Sequence, residues 1–274
     1  MTPVLSQKLE QMTGFLREMG AAVVAFSGGV DSALVLKVAY DSLGAHAVGV
    51  TAISPTFPAV ELNVSRRLAA EIGARHIILE TDQLQSNEFV KNDADRCYHC
   101  KADLYRALGQ LRRSLSIDTI LDGTNVDDLG DDRPGLRAAR EWGVRSPLLE
   151  AGLTKAEVRA LAKHLGLSNW DKPAAACLSS RIPRGTVITR ENLSRVERAE
   201  AVLFSEGFRQ FRVRDHGDMA RVELDDAGFS LIQDEKRRET IASRLKDAGF
   251  RVVTIDLEGY RRGGGNVQAR ARGV

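Results

Sequence analysis

Short apolar runs alternate with amphipathic stretches through the first two-thirds of the chain. AAVVAF (21–26), AHAVGVTA (45–52), RHIILET (75–81) and TILDGT (119–124) have the apolar, β-branched character of buried strands, and helical spacing fills the segments between them. This alternation predicts an α/β fold, a parallel sheet with helices on both faces. One helix is marked at both ends: Thr154 as N-cap, Glu157 as its capping-box partner, Val158, Leu161, Ala162 and Leu165 as the apolar stripe, and Gly166 as the stop.

The rhythm changes near residue 186. A helix at 190–206, short strands QFRVRD and MARVEL, a helix at 234–247 and a strand FRVVTIDL predict a small α+β unit. The expected domains are therefore 1–185, 186–260 and a basic tail, 261–274, whose lack of apolar periodicity predicts flexibility. Residues 167–188 form a connection longer than compact domains usually carry, and such loops are functional or disordered.

Composition narrows the class. With 274 residues, 43% hydrophobic and 28% charged, the chain has material for a large core and reads as an ordinary soluble protein. No apolar run approaches the roughly 20 residues that span a bilayer. The N-terminus shows no secretory pattern, so a cytoplasmic location without structural disulfides is expected. Formal net charge is +2, but four arginines and no acid follow Tyr260, so the body is slightly acidic and gives no support for nucleic-acid binding.

Three groups of residues carry candidate chemistry. The first is SGGVDS, between a strand and a helix. Gly28 and Gly29 let backbone N–H groups approach an anion, Ser27 and Ser32 add hydroxyls, Asp31 opens the helix, and the helix dipole favours negative charge. A Walker lysine is absent. The bland alternative is a glycine-rich turn. TAISPTFP (51–58) and DGTNVDD (122–128), with Gly123 and Thr124, follow the second and fourth predicted strands, where open parallel sheets bind ligands. Asp127 and Asp128 are candidate Mg²⁺ partners or simply solvated acids.

The second group is the chain's three cysteines, Cys97 and Cys100 in RCYHC and Cys177 in PAAACLSSRIPRG. A C-x-x-C pair is redox-active, binds zinc or holds an iron–sulfur cluster. A dithiol needs no third cysteine, and His99 is awkwardly spaced to complete a zinc site. Three thiolates suit a [4Fe–4S] cluster with one open iron; buried apolar cysteines are the plain alternative.

In the third group, Leu193, Val196, Glu200, Leu203 and Phe204 share one helix face, placing a carboxylate in an apolar stripe. Arg212 and Arg214 lie about 7 Å apart on one strand face, a spacing that suits a phosphate. An ordinary Glu–Arg pair joining helix to strand is the alternative.

The SGGVDS block resembles the PP-loop of ATP pyrophosphatases, which implies ATP cleavage between the α and β phosphates with Mg²⁺. With DGTNVDD, RSPLLEAGLTKAEVRALAKHLGL, WDKPAAACLSSRIPRGT and RVRDHGDMARVEL, nearly the whole chain resembles the LarE-type sulfur transferases. The resemblance implies ATP binding by Ser27, Gly28, Gly29, Asp31, Ser32, Gly123 and Thr124. It implies adenylation of a carboxylate of pyridinium-3,5-biscarboxylic acid mononucleotide and its conversion to a thiocarboxylate, in nickel-pincer cofactor synthesis for lactate racemase. The resemblance implies that Arg212 and Arg214 hold the substrate's nucleotide phosphate, with Glu200 and Arg181 nearby in the substrate site. In one branch the cysteine matching Cys177 gives up its own sulfur; in the other it joins a C-x-x-C pair on a [4Fe–4S] cluster, which Cys97, Cys100 and Cys177 match as catalytic residues. A homo-oligomer, a hexamer by family resemblance, and a sulfur-delivery protein are further expectations. Arg184 departs from the family's frequent tyrosine. The rival readings are a tRNA thiolase, an amide-forming synthetase and a non-catalytic metal-binding protein.

Overall fold

The structure is a computed structural model describing residues 1–130, 134–173 and 176–261. It begins with α1 (Pro3–Met19), β1 (Ala22–Ala25), α2 (Val30–Leu43), β2 (Ala47–Ile53), α3 (Ala59–Ile72) and β3 (Arg75–Glu80). A single turn, α4 (Asn87–Val90), precedes α5 (Arg96–Ser114), β4 (Ile120–Leu121), α6 (Pro134–Glu141), α7 (Pro147–Glu150) and α8 (Lys155–His164). The chain continues through α9 (Arg190–Ser205), β5 (Phe211–His216), β6 (Met219–Leu224), α10 (Asp226–Leu231), α11 (Glu235–Asp247) and β7 (Val252–Ile255). No helix among the described residues is long and apolar enough to cross a membrane.

Two compact units result, Met1–Gln83 with Asp95–Ala175, and Leu84–Ala94 with Ala176–Val274. In the large unit four parallel strands run in the order β3-β2-β1-β4. Alternation along β1 sends Ala22 and Val24 into a core with Leu16, Leu36, Leu68 and Leu161, and Val23 into a second core with Val48, Val50, Tyr105 and Leu108. β1 and most of β2 are thus buried on both faces, as their apolar runs predict, while the edge strand β3 is only half-buried. The order reverses at β1, which pairs with β2 on one side and β4 on the other, so the loops after β1 and β4 meet at the crevice where such sheets bind ligands.

The fourth strand is shorter than its apolar run. Asp122 Oδ1 accepts the Thr124 N–H (3.1 Å) and turns the chain out of the sheet after Leu121. The capping box on α8 forms as predicted, Thr154 Oγ1 accepting from Glu157 N and Glu157 returning the bond to Thr154 N. Lys8 of α1 adds an ion pair to Glu157 (2.7 Å).

The small unit takes in two segments that sequence patterning places with the large domain, 84–94 and 176–185. Asn92 explains both. Its side-chain amide donates to Pro183 O (2.8 Å) and Thr186 O (3.0 Å), while its carbonyl accepts from Gly185 N (3.0 Å). The sheet runs β5-β6-β7, antiparallel then parallel, over a core of Val202, Leu203, Phe208, Val213, Val222, Leu245 and Phe250. Phe204, expected on the buried stripe, is 62% exposed, and Ala199 and Val202 face the core with Leu203 instead. Beyond Arg261 the expected tail lies outside the described residues.

Candidate active site

β1 delivers the chain to Phe26, whose N–H bonds Val50 O (2.8 Å), and the next three residues turn it into α2. Gly28 adopts φ +73°, and the Ser65 backbone of α3 lies 3.2 Å from where a Cβ would sit, so the turn needs glycine. Gly29 caps α2 without a side-chain acceptor, which leaves the positive end of the helix for an anion to complete. Ser27 and Ser32 present hydroxyls 3.2 Å apart, and Ser32 Oγ accepts the Ser27 N–H at 3.2 Å.

The opposite wall is the turn after β4. A Cβ on Gly123 would come 2.8 Å from Ser32 N and 3.0 Å from Asp31 Cβ, so only glycine lets this turn lie against the start of α2. Buried Asp122 gathers hydrogen bonds from Tyr105 Oη (3.0 Å), Thr124 Oγ1 (3.0 Å) and Ser146 Oγ (2.7 Å). Burial, together with Asp122, pushes the Tyr105 phenol up to about 12, although Lys101 opposes it. Lys101 Nζ lies 3.3 Å from Tyr105 Oη; burial acts against its charge, but Tyr105 and Asp122 outweigh that and raise its pKa.

Two lysines that the sequence reading missed stand at the loop. Lys155 pairs with Asp31, which also accepts from Asn125 Nδ2 (3.2 Å). Lys172 pairs with Glu61 and donates to Gly28 O (3.2 Å), as does Asn169 Nδ2 (3.2 Å). A search for a Walker lysine looks immediately after the glycines; these lysines come from the N-terminus of α8 and the WDKP loop, far off in sequence. Asp127 and Asp128 are engaged with the backbone: Asp127 Oδ2 accepts from Lys155 N (2.9 Å), and Asp128 Oδ2 from Asn125 N (3.1 Å).

Cys97 and Cys100 open α5 three residues apart, on one helix face, and Cys177 precedes a 3₁₀ turn at Leu178–Arg181 in the small unit. None of the three is in a disulfide; Cys97 is exposed and the others are half-buried. Arg96 Nη2 lies 3.8 Å from Cys97 Sγ, and Cys177 Sγ lies 3.0 Å from Ser179 Oγ. His99 stands edge-on to Tyr98, ring centroids 5.4 Å apart. Among the described residues no three His, Cys, Asp or Glu side chains are gathered as a metal-binding group.

In the small unit Arg181 is 3% exposed and forks onto Glu200 (2.8 and 3.0 Å). Its Nη1 also donates to Ala176 O (2.8 Å), Cys177 O (3.0 Å) and Ser180 Oγ (2.9 Å), so it fixes the backbone of the cysteine turn. Glu200 completes its bonding by accepting from Val213 N (3.1 Å). Arg214 forks onto Glu223 (2.8 and 2.9 Å) and donates to Ser180 O (2.7 Å). Arg181 and Arg214 thus each fork onto a carboxylate, but neither pair is the helix-to-strand Glu–Arg pair that the sequence offers: Glu200 of α9 takes Arg181, and Arg214 takes Glu223 of β6. Arg212, on the same strand face as Arg214, donates to Phe211 O (2.6 Å) and meets the Tyr260 phenol oxygen at 3.3 Å. Burial and the neighbouring Arg181 push its pKa below the usual guanidinium value, with Tyr260 and Glu200 acting against them.

No family model matches the sequence. The chain is 44% identical over 261 residues to the uncharacterized protein slr1717 of Synechocystis, covering 95% of this chain and 97% of that one. It is 41% identical over 263 residues, 94% of each chain, to the pyridinium-3,5-bisthiocarboxylic acid mononucleotide synthase of Lactiplantibacillus plantarum. A more distant match, 27% over 227 residues, covers 68% of this chain and 58% of the tRNA-specific 2-thiouridylase MnmA of Caulobacter vibrioides. A glycine-rich turn at the switch point of a parallel sheet, within a chain 41% identical over 94% of its length to such a synthase, means that this protein belongs to the LarE-type family of PP-loop sulfur transferases.

Proposed function

We propose that the protein uses ATP to convert a carboxylate of pyridinium-3,5-biscarboxylic acid mononucleotide into a thiocarboxylate. The observation that carries this reading is the anion cradle between the β1 and β4 turns in a chain 41% identical to a bisthiocarboxylic acid synthase. A carboxylate oxygen attacks the α-phosphorus, the bond to the β-phosphate breaks, and pyrophosphate leaves. The start of α2, Ser27, Ser32 and the Lys155 and Lys172 ammonium groups hold the departing charge. A sulfur nucleophile then adds at the activated carbonyl carbon, and AMP departs with the original oxygen. Mg²⁺ supplies charge neutralisation on the triphosphate, with Asp31, Asp127 and Asp128 as its proposed partners through phosphate oxygen and water. The small unit is the substrate-binding domain, with Arg212 on the mononucleotide phosphate and Arg181, Glu200 and Arg214 ordering the turn that carries Cys177.

Cys97, Cys100 and Cys177 are the proposed ligands of a [4Fe–4S] cluster, which when bound would supply sulfide for the transfer. The chain's only three cysteines, none of them in a disulfide, support that donor set. A sulfide-delivery protein and a homo-oligomeric assembly complete the proposal, both on family resemblance. The test is to supply ATP, Mg²⁺, sulfide and the mononucleotide without oxygen. AMP and pyrophosphate should appear in equal amounts and only with the mononucleotide; equal release without it refutes the assignment.

A further inference from the structure

The segment after β7 places an aromatic ring on Arg212 by an exacting backbone path. Gly259 adopts φ +69°, and a Cβ there would fall 2.8 Å from Leu224 O and 3.1 Å from the Phe229 ring. Its N–H bonds Asp256 O (3.1 Å), and the Tyr260 N–H bonds Leu224 O at the end of β6 (2.8 Å). These contacts fix Tyr260 so that its phenol oxygen meets Arg212 Nη2 at 3.3 Å and the guanidinium carbon lies 5.0 Å from the ring centroid. Arg212 sits among cations: Arg181 and Arg214 both oppose its charge, while Tyr260 and Glu200 support it.

On the reading that Arg212 binds the substrate phosphate, we infer that Tyr260 is a positioning residue for the mononucleotide, holding the Arg212 guanidinium against its ring. The ring face and phenol oxygen offset the repulsion from Arg181 and Arg214 and keep a long, mobile side chain in one place. A bound phosphate then meets a guanidinium that is already ordered, which lowers the entropic cost of binding. Tyr260 touches no reacting atom in this scheme, so its effect belongs to substrate affinity and not to the chemical step.

The experiment is mononucleotide-stimulated ATP–pyrophosphate exchange on the full chain, comparing Tyr260→Leu, Tyr260→Phe and Arg212→Ala. Tyr260→Leu should raise the mononucleotide KM about 10-fold with kcat within about twofold and KM for ATP unchanged. Tyr260→Phe keeps the ring and should stay within about threefold of the parent. Inorganic phosphate should compete with the mononucleotide less well in Tyr260→Leu than in the parent. If Arg212→Ala raises the KM and Tyr260→Leu does not, the inference about Tyr260 fails alone. If kcat and both KM values shift together with a lowered melting temperature, Tyr260 is structural and the inference also fails. If Arg212→Ala itself leaves the KM unchanged, the phosphate-site reading falls and takes this inference with it.

Discussion

Replacing Gly123 with alanine tests the cradle through one methyl group. The new Cβ would sit 2.8 Å from Ser32 N, 3.0 Å from Asp31 Cβ and 3.1 Å from Asp31 C. These atoms belong to the first turn of α2 or lie one bond from its backbone, so no rotamer change makes room. Either the β4 turn or the helix start must move by several tenths of an ångström. Forced overpacking of this kind costs about 1–3 kcal/mol of stability. A displaced helix start also meets the phosphates less well, and each 1.4 kcal/mol lost there is about a tenfold rise in the KM for ATP. Urea unfolding followed by circular dichroism reads the first effect, and ATP–pyrophosphate exchange reads the second. Gly14→Ala is the control: it lies inside α1 with nothing within 4 Å of the added Cβ, and should stabilise by about 0.5–1 kcal/mol. A Gly123→Ala protein with unchanged urea midpoint and unchanged KM for ATP would refute the close approach and the cradle built on it.

Other substitutions probe separate parts of the account. Lys172→Met, measured by pyrophosphate inhibition, should weaken pyrophosphate binding about 10-fold while adenosine binding is unchanged; equal weakening of both would remove Lys172 from the phosphate site. Burial opposes the charge of Glu157, but Lys8 and Thr154 outweigh it and hold its carboxyl below the usual range. That stabilisation is therefore present above the ordinary carboxylate pKa and lost as pH falls through the lowered one. Lys8→Met should cost about 0.5–1 kcal/mol near pH 7 and little near pH 3, read from urea midpoints; a pH-independent difference would contradict this. Cys97→Ala should lose the iron and sulfide carried by anaerobically purified protein, and equal iron in parent and variant would exclude Cys97 as a ligand.

The large fold was legible because a sheet covered on both faces demands continuous apolar strands, as in AAVVAF and AHAVGVTA, and because Thr154 and Glu157 mark a helix start by local chemistry. The turn after β1 was legible as glycine-dependent because Gly28 takes a positive φ, whereas its close approach to Ser65 of α3 was not. The unit boundary was not legible, because it is drawn by Asn92, whose side chain reaches Pro183 and Thr186 across some ninety residues of sequence. Lys155, Lys172 and Tyr260 were hidden in the same way: each acts on a partner that only tertiary structure brings near. Phe204 was misplaced because α9 presents Ala199 and Val202 to its core, a rotation that a five-residue stripe does not fix. Arg212 and Arg214 were paired by their spacing on one strand face, but the spacing carries no sign of the carboxylate, Glu223, that Arg214 forks onto.

The most direct test of the central claim is mass spectrometry of the mononucleotide after anaerobic incubation with ATP, Mg²⁺ and sulfide, alongside a count of the AMP released. The account predicts that oxygen is exchanged for sulfur on a ring carboxylate, with one AMP per exchange and many exchanges per protein chain. AMP release with no sulfur in the mononucleotide would contradict the reaction. Sulfur insertion that stops at one per chain, with Cys177 lighter by the mass of H₂S, would contradict the cluster as its source.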